Sequence, residues 1–128
     1  SSIIAKEGKV RSILKKYQVN FAEKHRDCCI EGRDISTKIL PKSNLKFFFK
    51  CNINIASERR YKELKKRDRK VKLSDVKKAL RIRNISDTNR KNSPLLKHRD
   101  SVVIDTGKLS KQAMLKKMSK YVERVLKN

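Results

Sequence analysis

Short apolar runs alternate with helical patterns along this chain, and that alternation limits its fold more than any other feature. Three runs have the length and composition of buried strands: residues 28–30, 45–49 and 101–105. Helical spacing of apolar residues occupies four further stretches: residues 10–21, 55–68, from Ser74 onward and from Ser110 onward. Strands separated by helices indicate a parallel sheet with crossover connections. We therefore predict one α/β layer structure whose sheet is covered on both faces.

Several details of the helices follow from single residues. Ser74 and Ser110 are predicted N-caps, and Asp75 lies in a first turn, where a carboxylate favours the helix dipole. Ser93-Pro94 ends the third helical pattern. The last helix is predicted to present one apolar face: Leu115, Met118, Val122, Val125 and Leu126.

The charge balance is strongly basic, with 36 Lys and Arg against 13 Asp and Glu, a formal net charge of +23. Such a balance is typical of proteins with polyanionic partners. The charge is spread along the chain, however, and an AT-rich coding sequence produces the same abundance of Lys, Asn and Ile. Both interpretations stay open. No apolar run approaches the ~18 residues of a membrane span and no signal peptide is recognisable, so we expect a cytoplasmic protein without a membrane partner.

The three cysteines, Cys28, Cys29 and Cys51, are odd in number and lack the paired spacing of a zinc site. Two of them lie in the apolar run 28–30. Buried reduced thiols are therefore the prediction, and no metal-ligating residue is assigned.

Two clusters carry the chemistry. Gly32-Arg33-Asp34 follows the first predicted strand, at the edge where open α/β sheets bind ligands. Arg83, Asp87 and Arg90 are spaced to share one side of a helix, where the aspartate can hold the two arginines as a fork for a phosphate. Each cluster alone also fits a bland alternative: a turn with a local salt bridge, or a solvated helix face whose ion pairs contribute only tenths of a kcal/mol.

Four ordered segments together resemble the cytidylate kinase family. They are residues 32–37 (GRDIST) with Leu40-Pro41, residues 59–64 (RRYKEL), residues 83–90 followed by Ser93-Pro94-Leu95, and residues 103–106 (VIDT). Their order and spacing agree with the family from Ser2 to the C-terminus. The resemblance implies an α/β fold, namely a P-loop nucleoside-monophosphate-kinase-like parallel sheet with flanking helices, incomplete at the N-terminus. It makes residues 1–128 the C-terminal portion of a single domain, with a lid at about 54–92 and a monomeric state when complete.

The resemblance also implies an activity, phosphoryl transfer from ATP to CMP or dCMP with Mg²⁺ as cofactor, and a set of site residues. It assigns seven residues to CMP: Ser2, Arg11, Arg33, Asp34, Arg83, Asp87 and Arg90. Ser2, Arg11 and Asp34 fall where the family contacts the base, Arg33 and Arg90 where it binds phosphate, and Arg83 and Asp87 where it binds the sugar. The catalytic set is Arg33, Arg83 and Arg90, and the lid residues over ATP are Arg59 and Arg60.

The sequence departs from the family pattern in three places. Asn54, Ile55 and Ala56 stand where the lid normally carries acidic residues and a further arginine, Ser36 replaces a glycine, and Asn84 replaces an acidic residue. Each departure is expected to weaken the lid or the pocket without abolishing the fold.

The phosphate-binding motif G-x-x-x-x-G-K-[ST] does not occur in the sequence, which has three glycines in all. That loop cradles the ATP phosphates, and its Ser or Thr is a Mg²⁺ ligand. By resemblance, the absent first strand would lie between the strands matching residues 28–31 and 45–49. We therefore expect these 128 residues alone to be inactive, and poorly stable unless those strands pair again or the rest of the protein is present.

Two alternatives remain from other functional classes. A basic nucleic-acid-binding module would explain the net charge directly, and it predicts Lys and Arg concentrated on one face. Aromatic residues make up 5% of the chain and offer few rings for base stacking, which counts against it. Nucleic acid is therefore not the expected partner, although the charge keeps it open. The other alternative is a kinase-derived scaffold without turnover.

Overall fold

The computed structural model describes residues 7–89 and 95–127. Seven elements follow one another within these ranges: α1 (Gly8–Lys24), a π-helical turn (Ile35–Ile39), β1 (Phe47–Lys50), α2 (Ile53–Lys65), α3 (Leu73–Asn89), β2 (Val102–Asp105) and α4 (Lys111–Lys127).

Strands β1 and β2 form a two-stranded parallel sheet in which Phe49 lies opposite Ile104. Main-chain hydrogen bonds from Val102 N to Lys46 O and from Thr106 N to Lys50 O, both 2.9 Å long, continue the pairing beyond the strand ends. Helices α2 and α3 form the connection between the two strands. The predicted α/β class with a parallel sheet and crossover helices is confirmed.

The predicted strand at residues 28–30 is wrong. This stretch has no regular structure, and Cys28 and Cys29 are exposed, so the prediction that these thiols are buried is also wrong. A strand persists only where a neighbour takes up its N–H and C=O groups, and within the described residues no segment pairs with this one. Cys51, directly after β1, is half-buried.

Two helices, α2 and α4, begin with a side-chain cap. Ser110 caps α4, since its hydroxyl oxygen accepts a hydrogen bond of 3.1 Å from Ala113 N. Asn52, which the sequence reading did not single out, caps α2 by accepting from Asn54 N at 2.8 Å. The predicted cap at Ser74 is wrong, because Lys72 O already accepts from Val76 N at 3.2 Å and α3 begins at Leu73. Asp75 does lie in the first turn of α3.

The apolar core of the described residues is small, with three hydrophobic side chains buried: Ile39, Val76 and Ile104. The expectation of a sheet covered on both faces is wrong, since Phe49 remains 49% exposed. Phe47 contacts Tyr121 of α4 edge-on, with ring centroids 6.1 Å apart. The predicted apolar face of α4 is only partly correct: the half-buried residues are Met114, Met118, Tyr121 and Val125, whereas Leu115, Val122 and Leu126 are exposed.

A large apolar surface therefore faces solvent. On α1 the exposed apolar side chains share one side of the helix: Ile13, Leu14, Tyr17 and Phe21. The total accessible surface is 10512 Å², whereas a compact monomer of this mass exposes about 7,000 Å². The chain thus buries much less surface than a self-sufficient domain of its size.

Candidate functional site

The turn at residues 32–39 fixes the first cluster. The main-chain carbonyl of Asp34 accepts N–H bonds from Thr37, Lys38 and Ile39 at 3.3, 2.9 and 3.4 Å, which closes the π-helical turn around it. Gly32 makes the tight approach feasible, because a Cβ there would lie 2.8 Å from Cγ1 of Ile35. The main chain of Asp34 is therefore fixed independently of its side-chain contacts, and Arg33 directly precedes it.

Asp34 forms an ion pair with Arg11, which α1 brings to the turn. Both side chains are largely buried, with 9% and 15% of their surface exposed, respectively. A buried carboxylate is stable only when a cation or hydrogen-bond donors compensate its lost hydration. The structure therefore brings together two of the three residues predicted to meet the base. Ser2, the third, lies outside the described residues.

Asp87 is the centre of the second cluster. Its side chain is 3% exposed, and its Oδ2 lies 2.5 Å from Nη1 of Arg33 and 3.8 Å from Nε of Arg83. The four-residue spacing on α3 predicts the contact with Arg83. The contact with Arg33 joins the turn to α3 across 54 positions of sequence. Arg90, the third member predicted from the sequence, lies outside the described residues.

The two arginines contact the same buried carboxylate and stay partly exposed. The side chain of Arg33 is 31% exposed and that of Arg83 is 50% exposed, while the carboxylate that both contact is buried. A guanidinium group carries five N–H donors in a planar fork, so it can engage more than one acceptor at a time. This geometry suits a second, exchangeable anion such as a phosphate.

Asn84 is a site residue to which the sequence analysis gives no role. Its Oδ1 accepts a hydrogen bond from Nη1 of Arg33 at 3.5 Å. The signal in the sequence that could have indicated this role is the position of Asn84 one helical turn before Asp87, on the same side of α3. The amide that replaces an acidic side chain here contacts Arg33 without adding a second charge.

The contacts shown for the predicted lid residues are separate from those of the two clusters. Arg59 and Arg60 are exposed on α2, and Arg60 forms an ion pair of 2.9 Å with Glu63 one turn further on. None of the contacts shown for the described residues joins either arginine to Asp34 or Asp87. Helices α2 and α3 together occupy most of the stretch 54–92 predicted as the lid.

A comparison with protein families decides the affiliation of the chain. The family model described as cytidylate kinase matches residues 1–124 of this chain. The chain belongs to the cytidylate kinase family. Cytidylate kinase of Rickettsia akari is 35% identical over 123 residues, which cover 96% of this chain and 56% of that relative. Cytidylate kinase of Rickettsia felis is 35% identical over 126 residues, covering 98% of this chain and 58% of the relative.

The chain thus spans a little over half the length of the cytidylate kinases it matches. This agrees with the interpretation of these residues as a C-terminal portion of the family's fold. Two further observations concern the described residues only. Among the described residues no group of three or more His, Cys, Asp or Glu side chains is arranged to hold a metal ion. No helix within 7–89 or 95–127 is long and apolar enough to cross a membrane.

Proposed function

We propose that this chain supplies the CMP-recognition residues and the lid of an enzyme that converts ATP and CMP or dCMP into ADP and CDP or dCDP. The observation that carries the proposal is the buried carboxylate of Asp87, which contacts Arg33 and Arg83 while both arginine side chains stay partly exposed. Asp34 follows Arg33 directly in the turn. It forms a second carboxylate–guanidinium pair with Arg11 of α1. One pair suits the phosphate and sugar, and the other suits the base.

The Arg11–Asp34 pair matches the hydrogen-bonding edge of cytosine. Cytosine presents an amino donor next to two acceptors, so a carboxylate accepts from the amino group while a guanidinium donates to the acceptors. Uracil reverses the donor pattern at two of these positions and would leave buried polar groups without partners. Sites built on such pairs reject the mismatched ligand strongly.

The phosphoryl transfer itself requires positioning and charge stabilisation rather than a covalent nucleophile. Arg33 and Arg83, with Arg90, are proposed to bind the CMP phosphate and stabilise the transferring group. Arg59 and Arg60 are proposed to approach the ATP phosphates when the lid closes. In the part of the chain that the structure describes, no group of three or more His, Cys, Asp or Glu side chains is arranged to hold a metal ion, and no step is assigned to a metal bound by this chain.

We expect a polypeptide of these 128 residues alone to show no CMP-dependent formation of ADP, because the motif that cradles ATP phosphates is not among them. Co-expression with the portion of the Rickettsia akari enzyme that this chain does not match is expected to restore it. The measurement is ADP and CDP formation by coupled assay and chromatography. Turnover by the 128 residues alone would refute the dependence on that loop. Binding of CMP by the complex without any turnover would instead favour the non-catalytic scaffold.

The role of Asp34 is tested by Asp34→Asn, which keeps the shape and the main-chain bonds of the turn but removes the charge. We expect CMP affinity to fall about 100-fold and the preference for CMP over UMP to shrink by a similar factor. Nuclear magnetic resonance titration of the chain with each nucleotide measures both. Lys38→Gln, an exposed change in the same turn, is the matched control. Equal nucleotide preference in the Asp34 variant and the unchanged chain would contradict the assignment.

A further inference from the structure

The connection between α2 and α3 is a concentrated basic surface that the proposed phosphoryl transfer does not explain. We define the hairpin tip as residues 65–72, with the sequence KKRDRKVK. Six of its eight residues are Lys or Arg, whereas the other 120 residues of the chain contain 30. The density of basic residues is therefore about three times that of the rest of the chain, which a uniform coding bias would not produce.

The tip is ordered, and its charges point to solvent. Arg67 N and Asp68 N donate to Leu64 O at 3.0 and 2.9 Å, and Asp68 Oδ1 accepts from Lys70 N at 2.9 Å. Seven of the eight residues are exposed, including all six that are basic. Because the single acidic side chain of the tip accepts a main-chain bond, it is oriented towards the turn. The tip thus carries six exposed cations against one carboxylate, a net charge of +5.

We propose that the hairpin tip binds the phosphate backbone of a nucleic acid without reading its sequence. Polyanions with closely spaced charges neutralise such a surface best, and duplex DNA presents one negative charge per ~1.7 Å of its axis. Two packed helices span about 20 Å, along which one strand of the duplex presents about six phosphates at ~3.4 Å each, one for each of the six cations. One nucleoside triphosphate carries too few charges to engage all of them.

The side chains of the tip favour phosphate contacts over base contacts and over lipid. Residues 65–72 include no aromatic ring. The nearest one in the sequence is Tyr61, and the ammonium of Lys65 lies over it, 5.3 Å from the ring centroid. Stacking on bases is therefore not available at the tip. Helices that lie on membranes bury a row of large apolar side chains. The tip has one apolar residue, Val71, and it is half-buried.

The test is fluorescence anisotropy of the full chain with a labelled 20-base-pair duplex and with two single-stranded RNAs of different sequence. Binding is expected to be independent of sequence and to weaken about 1,000-fold between 50 and 200 mM salt, as six phosphate contacts predict. The triple variant Lys66→Glu/Arg67→Glu/Lys70→Glu is expected to bind at least tenfold more weakly. Its salt dependence should fall to about half that of the unchanged chain.

A matched control separates a local surface from net charge. Lys116→Glu/Lys117→Glu/Lys120→Glu changes three exposed residues of α4 and lowers the net charge by the same six units, from +23 to +17. This variant is expected to lose less than threefold in affinity, with circular dichroism confirming that both variants keep their helices. Equal loss in the two variants would show that net charge alone is responsible and overturn the proposal. So would the absence of binding at 50 mM salt, or binding to phosphatidylserine vesicles that duplex DNA does not compete away.

Discussion

Replacing Arg33 by alanine is expected to lower kcat/KM for CMP about 1,000-fold in the complex with the portion of the Rickettsia akari enzyme that this chain does not match. Arg33, whose side chain is 31% exposed next to Asp87, is proposed to donate to the phosphate. Removing one donor that meets developing charge costs 10²–10³ in rate, and removing an arginine from a phosphoryl-transfer site costs about 10³–10⁵. Steady-state kinetics with CMP as the varied substrate measure the effect.

Two further variants separate a catalytic loss from a structural one. Arg33→Lys keeps the positive charge next to Asp87 but lacks the planar fork, so an intermediate loss of about 10- to 100-fold is expected. Arg99→Ala removes an arginine whose side chain is 90% exposed, and it should leave the kinetics unchanged. Thermal melts of all three complexes show whether Asp87 tolerates the loss of its partner. Activity of Arg33→Ala within threefold of the unchanged complex would remove Arg33 from the site.

The sequence predicts contacts within one helix well and contacts between distant segments poorly. The Arg83–Asp87 contact follows from a four-residue spacing on a helix, which places both side chains on one side. No spacing rule connects Arg33 with Asp87 or Arg11 with Asp34, since each pair joins different elements. The family resemblance implies that these residues surround one ligand, and the structure adds that the buried Asp87 contacts both Arg33 and Arg83. The role of Asn84 is visible only in the structure, because an amide side chain acquires a role only through the residue that it contacts.

Which strands form and which helix faces are buried is equally hard to predict from the sequence, because both depend on distant segments. Residues 45–49 and 28–30 are both apolar, yet only the first stretch overlaps a strand, because β2 provides the partner that composition cannot specify. On α4 the 3.6-residue period allows two overlapping apolar stripes. The ring of Phe47 selects the stripe that contains Tyr121, and Leu115 and Val122 are left exposed. Local pattern therefore predicts the kind of element, and tertiary partners decide which side is buried.

The largest stability effect is expected at Ile104, in the centre of β2. Its side chain is 0% exposed, and it is one of three buried apolar residues in the described chain. Truncating a buried isoleucine to alanine costs about 2–5 kcal/mol. Domains of this size are stable by only about 5–15 kcal/mol even with a full core. Ile104→Ala is therefore expected to lower the melting temperature by more than about 10 °C, or to leave no cooperative transition at all.

Ile82→Ala is the matched control, because it removes the same atoms from a side chain that is 59% exposed on α3. An exposed truncation of this kind changes stability by about 0.5 kcal/mol or less. Circular dichroism melts of the 128-residue chain, and of its complex with the phosphate-binding portion, compare the two variants. Equal shifts would mean that the sheet is not the centre of the core. A large shift for Ile104 alone, reduced in the complex, would show that the 128 residues rest on one small core that the remaining portion of the fold enlarges.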